Sequence, residues 1–74
     1  MQSKIHEIWA RELKLTDFTD TDDFFTLGGH SLIMAKIQDA ILDEFSIEVP
    51  MDELFRRPNV EAISAHLESL NAAV

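Results

Sequence analysis

Apolar residues recur along the chain at the three- and four-residue spacing of an amphipathic helix. The first such stripe consists of Ile5, Ile8, Trp9 and Leu13. It predicts a helix over residues 4–14 with one buried face. Residues 15–30 lack this periodicity and are rich in threonine and aspartate, so they predict a long loop. Long ordered loops in small domains are often functional. Three apolar residues are expected to attach this loop to the core: Phe24, Phe25 and Leu27.

The clearest helical pattern covers residues 31–45. Its apolar face carries Met34, Ile37, Ile41 and Phe45, with Ile33 beside them. The opposite face carries Lys36, Asp39 and Asp43. Two separated faces of this kind indicate an amphipathic helix with one side in solvent. Ser31 stands at its start, and serine is a favourable N-cap residue.

The last third of the chain predicts two further helices. Residues 46–50 alternate in polarity but are too few for a convincing strand, and residues 51–55 predict a short helix that Pro58 ends. Asn59 is then expected to cap a last helix. Its apolar stripe consists of Val60, Ile63, Leu67 and Leu70. Residues 71–74 are expected to fray.

Composition narrows the classes of function. At 74 residues the chain is one small domain and too short for the large enzyme folds. Fourteen acidic and six basic residues give a net charge of −8, which argues against nucleic acid and against an anionic membrane. The acidity favours either basic partner surfaces or simple solubility. With no cysteine, no long apolar run and no signal peptide, a cytoplasmic protein is expected.

The only two glycines, Gly28 and Gly29, directly precede His30 and Ser31. Glycine permits a positive φ and a close approach of the backbone. The N-terminus of a helix favours an anion such as a phosphate. This arrangement would display the serine hydroxyl where an anion is tolerated. The simpler interpretation is a glycine turn followed by a serine N-cap. Leu32, which falls on the solvent face with Lys36 and Asp39, suggests a docking surface beside Ser31.

Other kinds of site do not match their required patterns. A serine hydrolase elbow needs glycine two residues after the nucleophile, where this chain has Ile33. The aspartates of residues 17–23 lack the EF-hand spacing for calcium, so they are expected to be solvated or to cap turns. The three histidines are scattered, so no zinc site is expected.

Asp23-Phe24-Phe25 followed by Leu27-Gly28-Gly29-His30-Ser31-Leu32 closely resembles the attachment motif of peptidyl carrier proteins. These are the thiolation domains of nonribosomal peptide synthetases. The resemblance runs nearly end to end. It includes Ile8-Trp9 with Leu13, Glu48-Val49-Pro50 with Leu54-Phe55, and Pro58 with Val60 and Ile63. It implies an all-α fold over residues 1–74: a small four-helix bundle of acyl-carrier type with a short third helix and a long first loop.

The resemblance also implies a function. Ser31 would carry a 4′-phosphopantetheine arm, installed from coenzyme A by a phosphopantetheinyl transferase, with Gly28, Gly29 and His30 shaping the turn. The arm would hold aminoacyl or peptidyl groups as thioesters, while the domain itself, expected to be a monomer, would catalyse nothing. Partners would be adenylation, condensation and thioesterase or tailoring domains, and Leu32, Lys36 and Asp39 are the expected partner surface.

The sequence departs from the family pattern at three positions. Ala40 replaces a common arginine, which removes a positive charge that partners could use. Ser46 replaces a common glycine and Asn59 a common threonine, two changes expected to keep turn or capping chemistry at little cost. Two alternatives stay open. One is an acyl carrier of fatty acid or polyketide type, and the other is an unmodified helical interaction module in which Ser31 is only a cap.

Overall fold

The computed structural model describes residues 1–72, which form four α-helices and no strand. Their bounds are α1 Gln2–Leu13, α2 Ser31–Phe45, α3 Met51–Arg56 and α4 Val60–Ala72. This confirms the predicted all-α class, the short third helix and the long first loop, here called loop 1 (residues 14–30). Helix α1 begins two residues earlier and ends one residue earlier than predicted. It ends there because Lys14 adopts the left-handed conformation, with φ 58°.

The core lies where α1 packs against both α2 and α4. Its fully buried side chains include Trp9 of α1, Phe24 of loop 1, Ile37 of α2 and Leu67 of α4. The Trp9 and Phe24 rings meet edge to face with centroids 5.9 Å apart. Burying an aliphatic or phenylalanine side chain of this size stabilises a fold by about 1.5–3 kcal/mol. The predicted apolar stripes therefore supply most of this core.

Two residues expected to be buried are exposed instead. Phe25 is 44% exposed, and its ring stacks on the exposed Phe55 at the surface with centroids 5.7 Å apart. Leu70 is 40% exposed, so the buried stripe of α4 ends at Leu67. The prediction that Leu70 extends the buried stripe was wrong, whereas Phe25 lies at the surface and meets the core through an edge-to-face contact with the Phe24 ring.

The second half of loop 1 is held by its own backbone and by the α3–α4 junction. The Phe24 N–H donates to the Pro58 carbonyl at 2.6 Å, while the Phe24 ring is buried. The Asp23 carboxylate accepts the N–H groups of Phe25 and Thr26 at 2.9 and 3.1 Å. Asp23 therefore caps a tight turn, as the capping interpretation of the loop aspartates predicts.

Helix α4 begins as the sequence predicts. The Asn59 side-chain oxygen accepts the Ala62 N–H at 2.7 Å, and its backbone carbonyl accepts the Ile63 N–H at 3.1 Å. This is the bonding of an N-cap residue. The helical backbone continues through Asn71 to Ala72, and the rest of the segment predicted to fray lies outside the described residues.

Candidate functional site

Helix α2 begins one residue before the place that a serine cap would require. The Met34 N–H donates to the His30 carbonyl at 2.9 Å, which is the first bond of the helix. His30 is therefore the N-cap, with extended backbone (φ −148°, ψ 176°), and Ser31 is the first helical residue. No side chain among residues 1–72 caps this end. The prediction that Ser31 is an N-cap was wrong, because its backbone already follows the helix.

The Ser31 hydroxyl is free for chemistry. Ser31 is exposed, and its hydroxyl makes no hydrogen bond within residues 1–72. A capping serine would spend its oxygen on a backbone N–H two or three residues later. Since that bond is not made, the position of Ser31 at the start of α2 is not explained by helix capping.

Each of the two glycines is required for a different physical reason. Gly28 has φ +93°, a backbone conformation that residues other than glycine rarely adopt. A Cβ at this position would meet no atom of the described residues within 4 Å. At Gly29 a Cβ would lie 2.3 Å from Cε2 of the buried Phe24 ring. The Gly29 N–H also donates to the Phe24 carbonyl at 3.0 Å. Gly28 therefore permits the turn, and Gly29 permits the chain to lie against the core just before Ser31.

The N-terminus of α2 carries no acidic residue in its first turn. By contrast, α3 has Asp52 and Glu53 in its first turn, and α4 has Glu61 there. The first N–H groups of a helix have no internal partner and form the positive end of its dipole. In α2 this positive end, beside Ser31, is not neutralised by a carboxylate of that turn, so an anion there would be stabilised.

The three residues expected to form a partner surface are all exposed. Leu32 is 64% exposed, the largest value among the exposed large apolar residues of the described chain, and Lys36 and Asp39 are also exposed. Two of these three residues line the same groove. Lys36 and Asp39 line a groove of about 470 Å³ between α1 and α2, whereas Leu32 does not. The groove is further lined by Arg11, Glu12, Ala40, Asp43 and Glu44.

Phe25 and Phe55 form an exposed aromatic pair that the sequence did not predict. Phe25 of loop 1 and Phe55 of α3 stack with an interplanar angle of 9°, and they are 44% and 37% exposed. The Phe25 ring also contacts Phe24 edge to face, at 5.3 Å between centroids. Phe24 and Phe25 were both expected to attach the loop to the core, and no periodicity in residues 15–30 distinguishes one from the other. Only the fold reveals the pair.

A second missed feature is the contact between α1 and Asp20 of loop 1. The Asp20 carboxylate bonds Gln2 Nε2 at 2.6 Å and His6 Nδ1 at 2.5 Å. The hydrogen bond from Gln2, then that from His6, holds the pKa of Asp20 below its ordinary value. Elsewhere, hydrogen bonding to Arg57 lowers the pKa of Glu53, with the Arg56 charge adding to the effect. His6 is half-buried, and its pairing with Asp20 was not predicted from the sequence.

Two kinds of feature are not found in the described part of the chain. No helix within residues 1–72 has the length and apolar character needed to cross a bilayer. No group of three or more histidine and carboxylate side chains in the same residues is arranged to hold a metal ion.

The chain matches a known protein family over most of its length. Residues 3–67 match a family described as "Phosphopantetheine attachment site". Surfactin synthase subunit 3 of Bacillus subtilis (strain 168) is 38% identical over 69 residues, covering 93% of this chain. The chain spans 5% of that protein's length, and between 1% and 5% of the curated relatives it matches.

Two solved structures share the fold. One is the peptidyl carrier protein in complex with the phosphopantetheine transferase Sfp and coenzyme A. It has a TM-score of 0.88 and 31% identity, over 92% of this chain and 88% of that one. The other is McyG A-PCP complexed with phenylalanyl-adenylate. It has a TM-score of 0.85 and 30% identity, over 89% of this chain and 10% of that one. The resemblance read from the Asp23 to Leu32 motif is confirmed, and the chain belongs to the phosphopantetheine attachment family, with the four-helix fold of peptidyl carrier proteins.

Proposed function

We propose that residues 1–74 form one carrier domain and that Ser31 is the residue to which 4′-phosphopantetheine is attached. The observation that supports this most is the exposed Ser31 hydroxyl, free of hydrogen bonds within residues 1–72, at the start of a 15-residue helix. It lies at the position that the family motif reserves for the modified serine. A free hydroxyl on an exposed turn is accessible to a transferase.

The residues present suit a phosphodiester at this place. The backbone N–H groups of Ser31, Leu32 and Ile33 precede the first helical bond, which Met34 makes. These N–H groups point out of the N-terminal end of α2, and the first turn there carries no acidic residue. A phosphate there is favoured by the helix dipole, by about 0.3–1 kcal/mol at an exposed site. Gly28 and Gly29 let the chain reach this position without a side chain beside it.

The attached group supplies a thiol, which this cysteine-free chain lacks, and that thiol holds the cargo as a thioester. The protein's own residues present the attachment point and offer a surface to partners. We propose that the domain itself is not catalytic. In support, the Ser31 hydroxyl has no hydrogen-bonded base among residues 1–72, so nothing there would activate it as a nucleophile.

The proposed cargo is aminoacyl or peptidyl, carried between domains of a nonribosomal peptide synthetase. The similarity to surfactin synthase and to McyG A-PCP supports this class. The proposed partners are a phosphopantetheinyl transferase, an adenylation domain, and condensation and thioesterase or tailoring domains. Leu32, Lys36 and Asp39 are proposed to face them, since all three are exposed on α2. The cytoplasmic location and the monomeric state stay predictions.

The decisive experiment is the intact mass of the protein after incubation with coenzyme A and a broad-specificity phosphopantetheinyl transferase. We expect a gain of one phosphopantetheine group, which Ser31→Ala abolishes. Ser69→Ala is the matched control, because Ser69 is also an exposed helical serine but lies on α4. Ser31→Ala should fold normally, since the lost hydroxyl makes no hydrogen bond within residues 1–72. An unchanged wild-type mass would refute the carrier function, and a persistent gain in Ser31→Ala would refute the site.

Loading of the modified protein then decides the class of cargo. An amino acid-activating enzyme should form an aminoacyl thioester on it, whereas an acyl-activating ligase should load it poorly. The reverse result would assign the protein to the acyl carriers of fatty acid or polyketide synthesis. Leu32→Ala should reduce recognition by the transferase without changing the free energy of unfolding, because Leu32 is 64% exposed.

A further inference from the structure

The stacked rings of Phe25 and Phe55, here called the aromatic pair, leave apolar surface exposed. The stack uses one face of each ring, with planes 9° apart and centroids 5.7 Å apart. The Phe25 ring also meets the Phe24 ring, edge to face, at 5.3 Å between centroids. Despite these contacts, Phe25 and Phe55 remain 44% and 37% exposed. Joining loop 1 to α3 therefore accounts for the stack but not for the apolar surface that it leaves in solvent.

The charged residues within two positions of the aromatic pair in sequence are occupied by bonds within the protein. The Asp23 carboxylate accepts the Phe25 N–H at 2.9 Å. The Glu53 carboxylate accepts hydrogen bonds from Arg56 and Arg57, each at 3.1 Å. Because these charges already have partners, the surface beside them suits an apolar ligand better than a charged one.

Packing connects the aromatic pair to the turn that carries Ser31. The Phe24 ring contacts Phe25, and it also lies so close to Gly29 that a Cβ there would clash with it. The Phe25 carbonyl accepts the Gly28 N–H at 3.2 Å, within the same turn. Only two peptide steps separate Gly29 from Ser31, so their Cα atoms lie at most about 7.6 Å apart. A phosphopantetheine arm has about as many chain bonds as four to five residues and extends about 15 Å, which brings the aromatic pair within its reach.

We propose that the aromatic pair binds the apolar side chain of the aminoacyl group carried on Ser31, and that it binds aromatic side chains best. This rests on the proposed function. Aromatic rings attract one another in stacked and edge-to-face arrangements. A short flexible tether gives its end an effective concentration of about 1 mM. A side chain that binds with a Kd of only about 1 mM would therefore occupy the aromatic pair about half of the time.

The test compares two cargoes on the same protein. Stable amide analogues of phenylalanyl- and glycyl-coenzyme A are each used by a broad-specificity phosphopantetheinyl transferase to modify Ser31. Amide chemical shifts are then measured by two-dimensional NMR. The Phe55 amide is the informative signal, because it lies on α3, distant in sequence from the attachment point. We expect its shift relative to the unmodified protein to be about threefold larger, or more, with phenylalanyl than with glycyl cargo.

Variants show whether this difference between the cargoes depends on the aromatic pair. Phe25→Ser should reduce the difference at the Phe55 amide by about threefold or more. Leu42→Ser is the matched control, because Leu42 is also 44% exposed but lies near the other end of α2, about 16 Å from Ser31 along the helix axis. It should leave the difference unchanged. Phe25→Leu, which keeps an apolar side chain, should reduce it by about twofold and decides the question if circular dichroism shows that Phe25→Ser does not fold.

The possible results separate this inference from the proposed function. Equal Phe55 shifts with the two cargoes, on a protein that is modified normally, would overturn the inference and leave the carrier function standing. An equal reduction in Leu42→Ser and Phe25→Ser would do the same. Equal shifts together with a raised transferase KM in Phe25→Ser would assign the aromatic pair to a partner protein instead of the cargo. A wild-type protein that is not modified at all would overturn both proposals.

Discussion

Replacing Gly29 with alanine tests the packing just before Ser31. The added Cβ would lie 2.3, 2.4 and 2.5 Å from three carbons of the Phe24 ring. Real Cβ contacts at these distances essentially do not occur, so either the ring or the backbone must move. The ring has little room, because it is fully buried and packs edge to face on Trp9 at 5.9 Å. The φ of Gly29 itself is accessible to alanine, so the expected cost is steric alone.

The magnitude follows from the cost of overpacking a core. Inserting one methyl group into a filled core destabilises a protein by about 1–3 kcal/mol. A domain of this size has a net stability of only about 3–5 kcal/mol, so the loss is a large fraction of the total. In a domain of 60–100 residues each kcal/mol shifts Tm by about 4–8 °C. A loss of about 2 kcal/mol therefore lowers Tm by about 8–16 °C.

Urea unfolding followed by circular dichroism measures this loss. The informative comparison is a cycle with Phe24→Leu, which shortens the ring that the new Cβ meets. Gly29→Ala should cost clearly less in the Phe24→Leu background than in wild type. Gly28→Ala is the control. It should cost about 1–2 kcal/mol through its left-handed backbone, and Phe24→Leu should not relieve that cost.

Two results would refute this reasoning. A Gly29→Ala change below about 0.5 kcal/mol, the range of neutral surface substitutions, would mean that the contact with Phe24 is not tight. Equal costs of Gly29→Ala in the two backgrounds would mean that the penalty arises elsewhere than at the Phe24 ring.

Two further predictions concern a helix end and the acid range. Ser46→Gly should raise the free energy of unfolding by about 0.5–1 kcal/mol in urea titrations, because Ser46 ends α2 with φ 57° and glycine adopts that conformation without a steric penalty; a loss of stability would contradict this. Gln2 and His6 lower the folded-state pKa of Asp20 from its ordinary 3.8, so the ionised carboxylate favours the folded state. That contribution is complete well above pH 3.8 and disappears as the pH falls through the folded-state pKa. The difference in free energy of unfolding between wild type and Asp20→Asn should therefore narrow below pH 3.8, and a constant difference would argue against the pairing.

The conformation of Ser46 also bears on an expectation from the sequence. Serine in place of the family's common glycine was expected to preserve turn chemistry at little cost. The structure places Ser46 in the left-handed region at the end of α2, where its N–H donates to the Leu42 carbonyl at 2.9 Å. The backbone required at this point is one that glycine provides more readily. The expectation that turn chemistry is kept agrees with this bond, and the expectation of little cost stays a prediction that the Ser46→Gly measurement tests.

Much of the fold follows from local sequence alone. The apolar spacing of residues 5–13, 34–45 and 60–67 predicts the three long helices, because an amphipathic stripe buries its apolar face whatever its partner is. The bond from Ala62 to Asn59 follows from local capping chemistry, and Pro58 ends the short helix within one residue of the prediction. The family motif at Gly28 to Leu32 likewise needs no coordinates to be recognised.

Other features depend on contacts between residues distant in the chain, which no local pattern encodes. Gly29 must be glycine because of the Phe24 ring, and Phe25 stacks at the surface on Phe55, thirty positions along the chain. Asp20 is distinguished from Asp17 only by meeting α1 and α4. Ser31 has a free hydroxyl because the His30 carbonyl, and not a serine cap, begins the helix. Periodicity along the chain thus determined which faces are buried. The packing of loop 1 against the helices decided which side chains are left for function.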